Sequence, residues 1–515
     1  MSVSAPLEAL VSVATPESAW LVGGAVRDRL LGRPTDDYDI AVAGDARRVA
    51  RALARALDAH TFGLSEAFGV WRVVARDHSW QVDVLPVVGR SIETDLAQRD
   101  FTVNAIAEPV GGGQYVDPFG GLEDVGTRTL RMVSPRAFVD DPLRTMRLAR
   151  LACELEFEVD AETAAAAALA APQLVRVAPE RVFAELKRIV IADRVLEGLA
   201  LMDAVGAIDA VLPELSRMRG VEQSQYHHLD VYEHTQLVLA STVELSRHPE
   251  NWFGPHAAAV ARFLDEPLAN ELTRGQALRF GALLHDVAKP ETRRVSAEGR
   301  ITFVGHDVVG AEVAAGVLAR LRASERLREY VAALTRNHLR LGFLVHETPI
   351  SRRAIYRYLR ACEPVQVDVT LLSVADRLAT RGRGADEAIG RHLELARELL
   401  GEALAWRDAR PRPPVRGDVL ARAVGLRPGP ELGRVLEELE EASFAGEISS
   451  PEQAIARARA IVDEAGVRSA GGGAGGAGGA GGGAGGDGGG AGGDRGRGGG
   501  DGGRAGGARG PGEDR

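Results

Sequence analysis

Trp20-Leu-Val-Gly-Gly-Ala-Val-Arg-Asp28 and, just beyond it, Asp37-Tyr-Asp-Ile-Ala-Val42 decide how the rest of the chain is read. The first segment opens apolar at Trp20, Leu21 and Val22, turns at Gly23-Gly24 and continues as a helix-forming run to Leu31. A glycine pair between strand and helix lets backbone N–H groups approach a phosphate at the positive end of the helix. The second segment is a β-type run. Side chains two apart on a strand share a face, so the carboxylates of Asp37 and Asp39 aim at one spot. Mg2+ takes oxygen ligands and completes its shell from substrate phosphate, so an acid pair beside a phosphate cradle is the pattern it needs. Gly-Gly alone would be an ordinary strand–turn–helix on a solvated sheet edge. Arg27 and the acid pair are what make the pattern specific.

Leu21-Val-Gly-Gly-Ala-Val-Arg-Asp28 followed by Asp-x-Asp resembles the nucleotidyltransferase head of class II CCA-adding enzymes and bacterial poly(A) polymerases. That resemblance implies nucleotidyl transfer from CTP or ATP to a tRNA 3′ end, with Mg2+ held by Asp37 and Asp39. Asp83, in the alternating run Trp80-Gln-Val-Asp-Val-Leu-Pro86, falls at the family's third acidic position. Arg99-Asp-Phe-Thr-Val-Asn104-Ala resembles the family's Arg-Arg-Asp-Phe-Thr-x-Asn-Ala motif, with Gln98 in place of the first arginine. It implies Arg99 on the nucleotide phosphates, Asp100 at the ribose and Asn104 at the triphosphate or metal, with Gly23, Gly24, Arg27 and Arg147 completing the cradle. Asp117-Pro-Phe-Gly-Gly121 reads as a turn that shapes the head.

From residue 133 the chain turns helical. Arg144, Arg147 and Arg150 recur every three residues and crowd one side of a helix, ordinarily a solvated face. Here Asp140-Asp-Pro-Leu-Arg144 resembles the family's Glu-Asp-x-x-Arg motif, which implies that Asp141 and Arg144 read the base edge of CTP or ATP. An Asp acceptor and an Arg donor complement the amino group and ring acceptor that cytosine and adenine share. Glu180-Arg-Val-Phe-Ala-Glu185 resembles a further motif that braces this pocket. The segment Leu85–Asp95 is shorter than in many complete CCA-adding enzymes. In this family CC-only enzymes carry such a shortened loop, which puts terminal-A addition in question.

A second constellation lies in mid-chain. His234, His285-Asp286 and Asp376 occur in the order of the HD phosphohydrolase superfamily, where such residues bind a divalent metal such as Mn2+ or Ni2+. His306 and His338 fall where two-metal versions of that fold add ligands. Each histidine alone would read as a satisfied helix residue. Tyr226-His-His228 reads as a loop. Ser351–Arg360, with four arginines and two tyrosines, fits either a phosphate-tracking surface or a solvated helix face.

The whole reads as an α+β chain: a small mixed-sheet nucleotidyltransferase head (1–132), a helical neck for nucleotide selection (133–210), an HD-type helical domain (211–400), a C-terminal helical region (401–468) and a Gly-rich flexible tail (469–515). A net charge of −10 excludes a uniformly basic protein, but a local basic strip beside an acidic metal site suffices for RNA. Only two lysines, Lys187 and Lys289, accompany the many arginines. Cys153 and Cys362 lie far apart and outside any Cys-x-x-Cys pattern, which fits the reducing cytoplasm. No window spans a bilayer, and the N-terminal run before Arg27 lacks the basic residues of a signal peptide. The rival readings are a poly(A) polymerase, a mainly HD-type phosphohydrolase and a non-catalytic tRNA-binding protein; the intact Asp37 and Asp39 speak against the last.

Overall fold

The computed structural model describes residues 5–15, 18–65, 68–223, 229–347, 349–381 and 385–471; Tyr226–His228 and the chain beyond 471 lie outside them. The head is a six-stranded sheet: β1 (Ala19–Val22), β2 (Asp37–Val42), β3 (His60–Ser65), β4 (Val70–Val74), β5 (Gln81–Pro86) and β6 (Ala107–Pro109), in the order β3-β4-β5-β2-β1-β6. Only β2 and β5 run parallel, and in that register Asp39 lies opposite Asp83. The alternation of apolar residues predicts strands at 19–22, 38–43, 68–76 and 79–85, and β1, β2, β4 and β5 match them within two residues at their ends. The two unforeseen strands, β3 and β6, are the sheet's edges. An edge strand is defined by backbone pairing to one neighbour and carries a weaker apolar alternation; β6 is also short and ends at Pro109, whose missing N–H suits an edge.

The two faces of the sheet differ. Tyr38, Ile40, Val42, Val73, Val82 and Val84 pack under Ala46, Ala50 and Leu53 of the Ala46–Ala56 helix. The alternate residues, Asp37, Asp39, Ala41, Asp83 and Leu85, point to the other side. There Val22, Ala41, Ile92, Leu96, Ala105 and Ala107 form a small separate core that leaves the start of β2 uncovered.

Beyond the head the chain is helical apart from short strand pairs: Pro267–Ala269 with Leu272–Thr273, Arg294–Val295 with Ile301–Thr302, and Thr129–Leu130 beside Glu158–Val159. One contiguous core runs from Leu10 to Trp406, shared by the sheet and the helices that follow it. Buried Arg279 fastens the join: its guanidinium donates to the carbonyls of Val190 and Ala192 at the end of the Pro179–Ile191 helix, where a cation meets the negative end of the helix dipole. The C-terminal helices, Gly417–Val424, Pro430–Phe444 and Pro451–Gly471, enclose a core of their own.

The Ser351–Arg360 segment is the solvated helix face of the two readings, with Arg352, Arg357 and Arg360 exposed, and it is ion-paired rather than open. Tyr356 and Tyr358 are buried, and the arginines are taken by Glu402, Glu441, Glu447 and Glu363. Its cationic face is a seam onto the C-terminal helices.

Candidate active sites

The head carries a cavity of about 590 Å³ lined by Gly23, Gly24, Arg27, Asp37, Asp39, Arg99, Asp100, Asn104, Arg144 and Arg147, among others. Gly23 is required there. Its φ is +74°, and a Cβ would stand 3.0 Å from Arg99 Nη1 and 3.2 Å from Asp39 Oδ2, so any side chain would close the gap between acid and cation.

Asp37 is exposed and accepts from Gln81 Nε2 at 2.9 Å. Asp39 is half-buried, and no hydrogen bond or ion pair within bonding distance is found for its carboxylate among the described residues. Burial, above all, pushes its pKa up to about 6; Arg99 and Arg147 pull down while Asp37 and Asp83 push up. A carboxylate without a partner, raised by desolvation beside a second acid, is a site that gains from a divalent cation. Asp83 stands opposite Asp39 on the same face, but both its oxygens are held by Arg72, at 2.6 and 2.7 Å. Its carboxylate is therefore engaged by Arg72 rather than offered beside the pair.

Behind the acids lies a buried polar relay. Arg27 Nη1 donates to Asn104 Oδ1 at 2.5 Å, Asn104 Nδ2 donates to Asp100 Oδ1 at 3.1 Å, and Asp100 Oδ2 lies 2.9 Å from Arg147 Nη2. Burial alone would raise Asp100, yet Arg147, Asn104 and the Phe101 N–H outweigh it and hold this carboxyl below the usual range. Asp100 and Asn104 thus fix the two arginines as well as lining the cavity. Arg144 donates to the carbonyls of Arg99 and Gln98, at 3.1 and 2.6 Å. Asp141 does not line the cavity; it caps Leu143 N and accepts from Arg181 Nη2 at 2.7 Å.

A pH dependence follows from Asp39. A proton held up to about pH 6 must leave before a cation binds. Divalent-ion affinity of the head is expected to fall by up to about tenfold per pH unit below about 6 and to be level above it. Titration with Mn2+ followed by paramagnetic resonance across that range checks this, and Asp39→Asn should abolish the slope.

In the HD region two triads of possible ligands converge: His234, His285 and Asp376, and Asp286, His306 and His338. The Nδ1 atoms of His285, His306 and His338 lie 2.8, 2.7 and 2.6 Å from the carbonyls of Ala282, Phe303 and Thr335. A carbonyl can only accept, so each Nδ1 carries the proton and each Nε2 is left to ligate. Asp286 joins the triads. Its Oδ2 is 3.1 Å from His285 Nε2, and its Oδ1 is 3.3 and 3.6 Å from the Nε2 atoms of His306 and His338. Among the described residues His285 Nε2 and Asp286 Oδ1 are buried with no hydrogen-bond partner of good geometry, which fits ligands of a divalent ion. Lys289 Nζ lies 2.6 Å from Asp286 Oδ2 and donates to Gln223. A cleft of about 1240 Å³ opens over the cluster.

Three family models match in order: the poly(A) polymerase head domain over residues 19–131, a probable RNA- and SrmB-binding region of polymerase A over 156–218, and the HD domain over 231–381. The chain is 37% identical over 446 residues to an A-adding tRNA nucleotidyltransferase of Deinococcus radiodurans, covering 85% of this chain and 94% of that protein. It is 36% identical over 448 residues to a CC-adding tRNA nucleotidyltransferase of Thermus thermophilus, covering 85% and 93%. The chain belongs to the tRNA nucleotidyltransferase family. The fold agrees: a CCA-adding enzyme in its apo form superposes with a TM-score of 0.59 at 20% identity, over 88% of this chain and 91% of that one.

Two features of this tRNA nucleotidyltransferase family member escaped the sequence reading. Asp95, buried, binds Arg99 through Oδ2 at 3.1 Å and accepts Val88 N through Oδ1, so it ties this cavity-lining arginine to the preceding loop. Its place four residues before Arg99 was the available signal. Arg150 is buried against Glu154 and Glu185 rather than solvated, at 2.9 and 2.5 Å. The Glu180–Glu185 motif therefore braces the Arg144–Leu155 helix and the turn before it, through Glu185 on Arg150 and Arg181 on Asp141. Among the described residues no helix is long and apolar enough to cross a membrane.

Proposed function

We propose that this chain extends the 3′ end of tRNA without a template, the terminal hydroxyl attacking the α-phosphate of CTP or ATP. The new O–P bond replaces the bond to the β-phosphate, and pyrophosphate leaves. The observation that carries this reading is the convergence in one cavity of the unpartnered Asp39, Asp37, the Gly23 gap and the cations Arg27, Arg99, Arg144 and Arg147. Asp37 and Asp39 would hold Mg2+, which when bound lowers the hydroxyl pKa and stabilises the leaving oxygens. Arg99 and Arg147 neutralise the triphosphate. Arg144, pinned to the backbone of Gln98 and Arg99 where it lines the cavity, presents a fixed donor to the base; Asp141, outside the cavity and held by Arg181, would have to leave Arg181 to serve as the acceptor. Residues 1–132 serve as catalytic head, 133–210 as neck, 211–400 as HD domain, 401–468 as C-terminal region and 469–515 as tail, in the cytoplasm. Incorporation of each labelled nucleotide into tRNA lacking its CCA end tests the assignment.

Within this activity the chain adds CC readily and the terminal A poorly. The support is the segment between β5 and Arg99. Val88 N is held by Asp95 and Val88 O by Thr94, and Gly89 sits at φ +88° where a Cβ would meet Thr94 Oγ1 at 2.5 Å. One pocket must re-set between cytosine and adenine, and a short turn tied at both ends has little room for two arrangements. The A-adding and CC-adding relatives named above differ by one point of identity, 37% against 36%, so identity does not choose between them. Incubating tRNA ending in CC with ATP should give little product; efficient addition of a single A would sink the CC-only reading.

A second activity is favoured by a separate observation, the bridging Asp286 and its two triads. The HD region then acts as a divalent-metal-dependent phosphohydrolase using Mn2+ or Ni2+, with Lys289 at the bridging carboxylate.

A further inference from the structure

We propose that the open edge of the head sheet is a stacking site for the last nucleotides of the RNA substrate, with Phe62 as its platform. The inference rests on the nucleotidyl-transfer reading and names the part of that site that takes RNA. Register carries it. Asp39 lies opposite Asp83 across β2 and β5, Asp83 opposite Arg72 across β5 and β4, and Arg72 opposite Phe62 across β4 and β3. Directly opposed residues share a face, so Phe62 ends a row that begins at the metal-binding acid. Three strand spacings put it about 14 Å from Asp39, within reach of a few nucleotides.

The strand is patterned the wrong way round for a structural edge. Thr61, paired with Val73, faces the helix-packed side and is half-buried, whereas Phe62, paired with Arg72, points to the open face and is 47% exposed; Leu64, 46% exposed, sits where the register with β4 shifts. A strand with one buried face normally does the reverse. A half-exposed aromatic ring kept on the open face, in line with the acids of the reaction site, offers a stacking surface.

The occupant follows from the direction of the reaction. Every described residue lining the triphosphate cavity comes from the β1 side, from β2 or from the segments after β5; none of them belongs to β3, β4 or β5. In phosphoryl transfer the attacking and leaving oxygens lie roughly in line on opposite sides of the phosphorus. With pyrophosphate on the β1 side, the attacking RNA must arrive across β5, β4 and β3. That path crosses Arg72, which is held by Asp83 and is partly exposed, a cation suited to an RNA phosphate. Stacking on an aromatic face tolerates any base, as a site serving many tRNAs requires.

The test uses full-length protein and tRNA carrying 2-aminopurine at one of its last three positions in turn. In wild type, binding without divalent ions should quench the probe at one position. Phe62→Ala should remove that quench, and Phe62→Trp should restore it. In steady state Phe62→Ala should raise KM for tRNA about tenfold and leave KM for CTP unchanged. Because Phe62 is exposed, its truncation removes no core. Unaltered quenching and KM for tRNA in Phe62→Ala would overturn the proposal, as would an equal rise in both KM values. If the nucleotidyl-transfer reading were wrong instead, wild-type protein would bind the tRNA yet incorporate no CMP.

Discussion

Asp39→Ala should reduce nucleotide addition by on the order of 10³-fold or more while leaving tRNA affinity nearly intact. Asp39 is the half-buried member of the pair, raised to about 6 and without a close partner, so the fold holds it ready for a cation at an energetic cost. Removing it takes away charge stabilisation that acts in the transition state and leaves the RNA-facing surface unchanged. Asp39→Asn keeps the shape and should be nearly as inactive, which separates charge from packing. Asp37→Ala should be milder, since Asp37 is exposed and shares its carboxylate with Gln81. CMP incorporation paired with filter binding of tRNA decides the matter. Activity of Asp39→Ala within a few-fold of wild type would show that this pair is not the metal site.

The second large effect is at Asp286. Asp286→Ala should abolish any Mn2+- or Ni2+-dependent phosphohydrolase activity and lower stability by about 3–5 kcal/mol, the cost of leaving a buried charge without its partner. The stranded charge is Lys289, 2.6 Å from the carboxylate and itself buried. Burial would raise the Asp286 pKa, but His285 and Lys289 hold it well below the usual carboxylate range. A depressed carboxyl contributes stability in full above its unfolded pKa of about 3.9 and loses it only as pH falls through the lower folded value. The Asp286→Ala deficit should therefore be constant at neutral pH and shrink only in acid. His285→Ala, which strands no lysine, should lose the same hydrolysis and retain CMP addition. Assay of bis-p-nitrophenyl phosphate turnover beside CMP incorporation and thermal melting reads all three. Absence of hydrolysis by wild type with every divalent ion tried would make the cluster structural.

Local pattern made much of this site legible. The strand–Gly-Gly–helix and the Asp37/Asp39 pair are properties of a single element, because alternation along a strand fixes which side chains share a face before any packing occurs. The order His234, His285-Asp286, Asp376 likewise matched a pattern written along the chain. Partnership is different, since it depends on which segments the fold brings together. Asp83 has the right register for a third ligand, yet Arg72 on the neighbouring strand takes its carboxylate. Arg144, Arg147 and Arg150 look alike in sequence, and each has a separate fate: two backbone carbonyls, buried Asp100, and Glu185 from another helix. The arginines after Ser351 read as an open cationic face until the C-terminal helices bring up their glutamates. Periodicity reports how a side chain leaves its own element; only tertiary packing decides what it meets, because the meeting groups come from segments tens to hundreds of residues apart.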